Sequence, residues 1–221
     1  MVGKIVGLIL IMIALYVFSS LFFVYEENRD AFVLNWKDCL KVNKKNVLVA
    51  IQIIIVGAVG FALFIDKGLD IISFYKYLIV FTLIFDAVLI DIEKQLIPNL
   101  LCLVMLAVVL LINSYQILQN MEAMSVYIIN YAIGGGLAFI IFFVAKLISR
   151  NGIGAGDIKL MTVIGLCVGY NIIDVIFYIL LVAFCYSVFM LITRKAKLKD
   201  SLPMAPFIYI GFMAYFIMNL C

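Results

Sequence analysis

Two aspartates, Asp91 and Asp157, are the residues of this chain best suited to acid–base chemistry. The chain has 221 residues and no histidine, which excludes Ser-His and Cys-His nucleophile pairs and histidine-ligated zinc or haem. Acid–base work must therefore fall to Asp, Glu, Lys, Tyr or Cys. Two carboxyl groups that converge can share one proton, because like charges a few Å apart cannot both ionise easily. The ionised one can then activate water as a general base, while the protonated one polarises a carbonyl and protonates the leaving amine.

Asp157 closes a glycine-rich turn. Gly154 and Gly156 flank one alanine directly before it, and they supply backbone freedom, a positive φ included. They also leave no side chain near the carboxylate, so we expect an extended substrate to approach it closely. Lys159, two residues later, can adjust the proton affinity of Asp157 or anchor the chain at the membrane surface.

Asp91 stands seven residues before Pro98, and Asn99 follows the proline. The proline marks the entry to the next helix. Asp86 precedes Asp91 by five residues, or about 7.5 Å and about 140° around a helix. We favour Asp86 as a third polar member of the same site over its being a buried partner for a Tyr or Lys.

The elements that position these aspartates are membrane helices. Hydrophobic residues make up 67% of the chain and charged residues only 13%, whereas soluble domains have about 45–50% and about 25%. We therefore predict an all-α, polytopic integral membrane protein rather than a soluble enzyme. It has about eight transmembrane helices, or six or seven if the short segments are re-entrant. The apolar runs lie near 5–25, 47–65, 71–90, 98–118, 124–148, 158–170, 172–193 and 204–220.

The basic residues predict the orientation of the helices. With both termini outside (N-out/C-out), thirteen of the sixteen Lys and Arg fall in cytoplasmic loops, and only Lys4, Lys67 and Lys76 do not. The same arrangement puts Asp91 and Asp157 at similar depth on the cytoplasmic side. The positions of the apolar runs alone do not require the two aspartates to share a depth.

The motifs around both aspartates resemble those of a known family. Gly154 to Asp157 is similar to the GxGD motif of intramembrane aspartyl proteases, and its extension to Leu160 resembles type IV prepilin peptidases. In that family the other catalytic Asp stands seven residues before a proline, as Asp91 stands before Pro98. A weaker likeness is the Pro-x-x-Pro segment at 203–206.

The resemblance implies a membrane aspartic endopeptidase without a cofactor. Such an enzyme removes short basic leader peptides from type IV prepilins or pseudopilins at the cytoplasmic face of the plasma (inner) membrane, with Asp91 and Asp157 as the catalytic pair. Its partners would be these substrates and the lipid bilayer, not nucleic acid, and residues 1–221 would form one transmembrane peptidase domain without a separate soluble domain. Many members also methylate the new N-terminus and carry a four-cysteine zinc site in the first cytoplasmic loop. Here that loop, residues 26–46, is short and holds only Cys39, so we expect no methyltransferase activity and no metal.

Two other functions stay open at this point. An archaeal preflagellin peptidase shares both Asp motifs and cleaves similar leaders. A proton or ion transporter could use Asp86, Asp91 and Asp157 as a relay, although carboxylates at the middle of the membrane would suit that function better. Presenilin-like enzymes also have GxGD, but they pair it with Tyr-Asp and Pro-Ala-Leu motifs that this chain lacks.

Overall fold

The computed structural model describes residues 2–27, 44–67, 70–149, 153–193 and 203–220. Most of the 26–46 loop, including Cys39, lies outside them. The described residues contain no strand, so the all-α prediction is confirmed for them. Their α-helices are Val2–Glu27 (α1), Lys44–Lys67 (α2), Ile71–Lys94 (α3), Asn99–Gln119 (α4), Met124–Ile148 (α5), Ala155–Val168 (α6), Ile172–Ile192 (α7) and Ala205–Leu220 (α8). Short 3-10 helices, Met121–Ala123 and Gly169–Asn171, precede α5 and α7.

Six stretches of the described chain are long and apolar enough to cross a membrane, by length and composition. They are Val6–Glu27, Lys44–Ala62, Ile71–Lys94, Asn99–Gln119, Met121–Ile148 and Ala155–Ile192. The last one contains both α6 and α7, joined through a 3-10 turn, and α8 is short for a span of about 20 residues. Each of the eight predicted apolar runs nevertheless coincides with one of these α-helices.

The chain divides into two compact units, residues 1–86 and 87–221. In the first unit α1 and α2 pack antiparallel. Lys45, near the start of α2, pairs with Glu27 at the end of α1, with 3.3 Å between Nζ and Oε1. Further along α2, Gly57 faces the side chain of Met12 in α1. Large apolar side chains such as Phe22 fill the interior of this unit.

In the second unit, α5 and α6 approach through glycines. A Cβ on Gly134 would overlap the carbonyl oxygen of Gly165, and a Cβ on Gly165 would overlap that of Gly134. Small residues at a helix interface allow this close packing in a membrane, where lipid provides no hydrophobic drive for helices to associate. The contact fixes α6, which carries Asp157 at its start.

The side-chain amides of two asparagines also hold α6 in place. The Asn113 side chain of α4 donates a hydrogen bond to the carbonyl of Leu166 at 2.8 Å, and Asn130 of α5 accepts one from the Tyr170 N–H at 2.8 Å. Asn130 also lies where a Cβ on Gly169 would point, and Gly169 has a φ of +73° that favours glycine. These contacts end α6 sharply and allow the chain to reverse into α7.

The last two helices of the second unit also pack at a glycine. A Cβ on Gly211 of α8 would lie 2.5 Å from the Cα of Ile179 in α7. Phe212 and Ile179 are fully buried beside this contact. The packing positions α8, whose first residue contributes to the site described next.

Candidate active site

Asp91 lies in the last turn of α3 and is buried, with 5% of its surface exposed. The helix ends because Gln95 adopts a φ of +50°, the left-handed conformation that commonly follows a helix, while its N–H still bonds the Asp91 carbonyl at 2.9 Å. The chain then buries Ile97 and Pro98, and the extended backbone of Pro98 (φ −63°, ψ 132°) starts α4. The seven residues from Asp91 to Pro98 therefore contain the end of α3, a turn and the start of α4.

Asp157 lies in the first turn of α6 and is half-buried. Its Oδ2 accepts a hydrogen bond from the N–H of Gly154, the residue that caps the helix, at 3.1 Å. A carboxylate at this position satisfies a backbone donor that the helix leaves without a partner, and the helix dipole favours its negative charge. Gly154 is exposed, and a Cβ there would lie 3.0 Å from Oδ2, so this glycine does keep the space beside the carboxylate open.

The sequence predicts that Gly156 leaves open space for substrate beside Asp157, but the structure places Ile97 against this glycine. A Cβ at 156 would lie 2.8 Å from the Cβ of Ile97 and 3.3 Å from its carbonyl oxygen. The start of α6 therefore packs directly on the segment between Asp91 and Pro98, and Ile97 fills the space expected for substrate. The expected positive φ is also wrong, because among the glycines that the structure describes only Gly169 has one.

The packing of Gly156 on Ile97 brings the two aspartates together. The charges of Asp91 and Asp157 interact electrostatically. Lys159 joins the same two segments, since its Nζ donates to Oδ1 of Asn99 at 2.7 Å. The two sequence motifs, one ending in Asp157 and one ending in Asn99, are thus parts of one cluster within the second unit.

Ala205 completes the surroundings of Asp91. Its backbone N–H, the first of α8, donates to Oδ2 of Asp91 at 3.0 Å in a buried position. Pro206 has no N–H, and the next two amides bond the carbonyl of Met204 inside the helix. The sequence singles out the Pro-x-x-Pro segment but not this donor, because a backbone N–H has no signature in residue type.

Asp86 lies in the first unit, fully buried, and accepts a hydrogen bond from the Ser19 hydroxyl at 2.7 Å. Its partner is thus a serine of α1, neither a Tyr nor a Lys.

Residues 77–193 match the type IV leader peptidase family. The chain belongs to this family. The chain is also 30% identical over 155 residues to the prepilin leader peptidase/N-methyltransferase of Vibrio cholerae serotype O1, a match that covers 66% of the chain and 57% of the relative. The chain thus spans little more than half the length of that relative. No solved structure matches this chain.

The matched residues include Asp91 and Asp157 of this chain, and also Pro98, Asn99 and the segment 154–159. Ala205 lies beyond the matched residues. Two carboxyls on segments that contact each other, each bonded to a backbone N–H, have the chemical parts for water activation by a carboxylate pair.

Proposed function

We propose that the protein is a membrane aspartic endopeptidase that removes leader peptides from type IV prepilins or pseudopilins, with Asp91 and Asp157 as its catalytic pair. The observation that supports the proposal is the packing of Gly156, next to Asp157, on Ile97, in the segment that follows Asp91, within the residues that match the leader peptidase family. The absence of histidine from the whole chain supports it, because a carboxylate pair needs no imidazole.

In the proposed reaction the two aspartates share one proton. The ionised carboxylate takes a proton from a water molecule, and the water oxygen attacks the carbonyl carbon of the scissile peptide bond. The protonated carboxyl first hydrogen-bonds the carbonyl oxygen and then donates its proton to the leaving nitrogen as the C–N bond breaks. The amides of Gly154 and Ala205 each hold one oxygen of their aspartate, which orients the pair before substrate binds.

We further propose that the catalytic pair lies at the cytoplasmic face of the plasma membrane, in a chain of about eight spans with both termini outside. The distribution of Lys and Arg supports this orientation. The leader would then reach the aspartates without crossing the bilayer.

The proposed activity is proteolysis without N-methylation. The relative from Vibrio cholerae is named for both activities. The first loop of this chain, residues 26–46, contains only Cys39, whereas bifunctional enzymes of this type use four cysteines.

One experiment tests both parts of the proposal. The purified protein in detergent is incubated with a prepilin and S-adenosylmethionine, and the products are identified by mass. Shortening of the prepilin at the end of its leader, without an added methyl group, is the expected result. An unshortened prepilin would overturn the peptidase, and a methylated terminus would overturn only the second part.

A further inference from the structure

The first unit buries four polar side chains that lie close to one level of its three helices. They come from α1 (Ser19 and Ser20), α2 (Gln52) and α3 (Asp86), and each has at most 5% of its surface exposed. Oδ2 of Asp86 accepts the Ser19 hydroxyl at 2.7 Å. Oδ1 of Asp86, the Ser20 hydroxyl and both amide atoms of Gln52 have no hydrogen-bond partner within the described residues. Buried polar atoms without a partner in a native fold indicate a ligand, an ion or ordered water beside them.

The packing of α1 on α2 puts Ser20 opposite Gln52. The ion pair between Lys45 and Glu27 fixes the register of these antiparallel helices. Ser20 precedes Glu27 by seven residues. Gln52 follows Lys45 by the same number. Each therefore lies about 10.5 Å along its helix from the ion pair and only about 20° around it, on the face that meets the other helix.

The third helix brings Asp86 close to the level of Gln52. A Cβ on Gly60 of α2 would lie 2.6 Å from the ring of Phe74 in α3, which fixes the register of these two helices. Gln52 precedes Gly60 by eight residues, or about 12 Å. Asp86 follows Phe74 by twelve residues, or about 18 Å in the same direction. The two levels differ by about 6 Å, a distance that the glutamine and aspartate side chains together can span.

We propose that these four residues, the polar layer, bind one monovalent metal cation, Na⁺. A lone carboxylate inside an apolar unit is costly unless a positive charge pairs with it, and Asp86 balances a single charge. The hydroxyl and amide oxygens beside it are neutral oxygen ligands of the kind that suits hard cations. The ion is held by Oδ1 of Asp86, the Ser20 hydroxyl and Oε1 of Gln52, and a water ligand accepts the Gln52 N–H. The proposal concerns the first unit alone and does not depend on the peptidase function.

The test measures thermal melting and Na⁺ binding in detergent. Protein purified in choline chloride is transferred to increasing NaCl at constant total salt, so that the screening of surface charges does not change. The melting temperature of the wild type should rise and saturate, by about 5 °C or more at about a hundredfold excess of Na⁺ over its Kd. Equilibrium dialysis should find one bound Na⁺ per chain. Equal melting temperatures in the two salts, or no bound Na⁺, would overturn the proposal.

Two variants locate the ion in the polar layer. Asp86→Asn keeps an oxygen for the Ser19 hydroxyl but removes the charge, so it should melt with the wild type in choline chloride and bind no Na⁺. Gln52→Leu replaces two amide atoms that have no partner by an apolar group of similar size. It should be at least as stable as the wild type in choline chloride and should lose most of the rise with Na⁺. A full response to Na⁺ in either variant would overturn the site.

Asp174→Asn is the matched control, because Asp174 is an exposed carboxylate in the first turn of α7, in the other unit. It should keep the full rise in melting temperature and the bound Na⁺. A response that is lost equally in this control would mean that Na⁺ acts through overall charge, and would overturn the proposal. Melting temperatures of all other variants are compared in choline chloride, so that they report side-chain packing and not the ion.

Discussion

The backbone N–H of Ala205 donates a hydrogen bond to Oδ2 of Asp91 at 3.0 Å, across 114 residues of chain. This bond joins the start of α8 to the end of α3. Because the amide is the first of its helix, the positive end of the helix dipole also points at the carboxylate. The residues after the family match thus take part in holding Asp91.

Replacing Ala205 by proline tests this bond directly. Proline is well accommodated by the backbone at the first position of a helix, so Ala205→Pro keeps the helix start but replaces the N–H by a ring carbon in a fully buried position. A hydrogen bond to a charged group contributes about 1.5–3 kcal/mol. We expect kcat for leader cleavage to fall about tenfold or more, with a smaller change in KM, because the amide contacts Asp91 and not the substrate.

Ala205→Gly keeps the N–H and is the matched control. It should lower kcat much less than the proline variant does, and it should melt within a few degrees of the wild type in detergent. Equal losses of kcat in the two variants would mean that the methyl group of Ala205, rather than its amide, supports the site.

Both aspartates should be required for cleavage. Asp91→Asn and Asp157→Asn each keep the shape of the side chain but remove the carboxyl that takes or gives the proton. Since general acid–base catalysis contributes about 10²–10⁴-fold, we expect cleavage to fall by at least about a hundredfold in each variant. The measurement is the rate of leader removal by protein that has been shown to insert in the membrane.

Asp174→Asn provides the control for this pair, because Asp174 is an exposed aspartate in the first turn of α7. It should cleave at close to the wild-type rate. Substantial turnover by either Asp91→Asn or Asp157→Asn would refute the proposed pair.

The helices could be predicted from the sequence, because they depend on patterns along the chain. Apolar runs of about 20 residues must form helices in lipid, where every backbone group needs an internal partner. The basic loops predict a shared depth for Asp91 and Asp157, and that depth stays a prediction. The Ala205 amide and the contact between Gly156 and Ile97 could not be predicted, because they depend on how helix ends are rotated and packed.

Gly156→Ala should reduce stability and activity together. The added Cβ would lie 2.8 Å from the Cβ of Ile97, so the start of α6 must move away from the segment that follows Asp91. Overpacking of this kind costs about 1–3 kcal/mol. We expect a lower melting temperature in detergent and, because displacements of about 1 Å can cost about a hundredfold in rate, a large loss of cleavage.

Gly136→Ala is the matched control in the neighbouring helix. A Cβ at 136 meets nothing within 4 Å, and a Gly→Ala change at a compatible helical position stabilises by about 0.4–1 kcal/mol. This variant should melt at or above the wild-type temperature and cleave normally. A Gly156→Ala protein with unchanged melting temperature would contradict the packing role of Gly156.

Asp86 and Ser19 should behave as a structural pair of the first unit. Asp86→Asn retains an oxygen that can accept the Ser19 hydroxyl, so we expect an unchanged melting temperature and a loss of cleavage far smaller than that of Asp91→Asn. Ser19→Ala leaves a buried carboxyl without its donor, which costs about 1–3 kcal/mol or more, and should lower the melting temperature.

Because apolar replacement of both partners can be nearly neutral, Ser19→Ala combined with Asp86→Leu should melt above Ser19→Ala alone. A loss of cleavage in Asp86→Asn as complete as in Asp91→Asn would instead place Asp86 in the reaction.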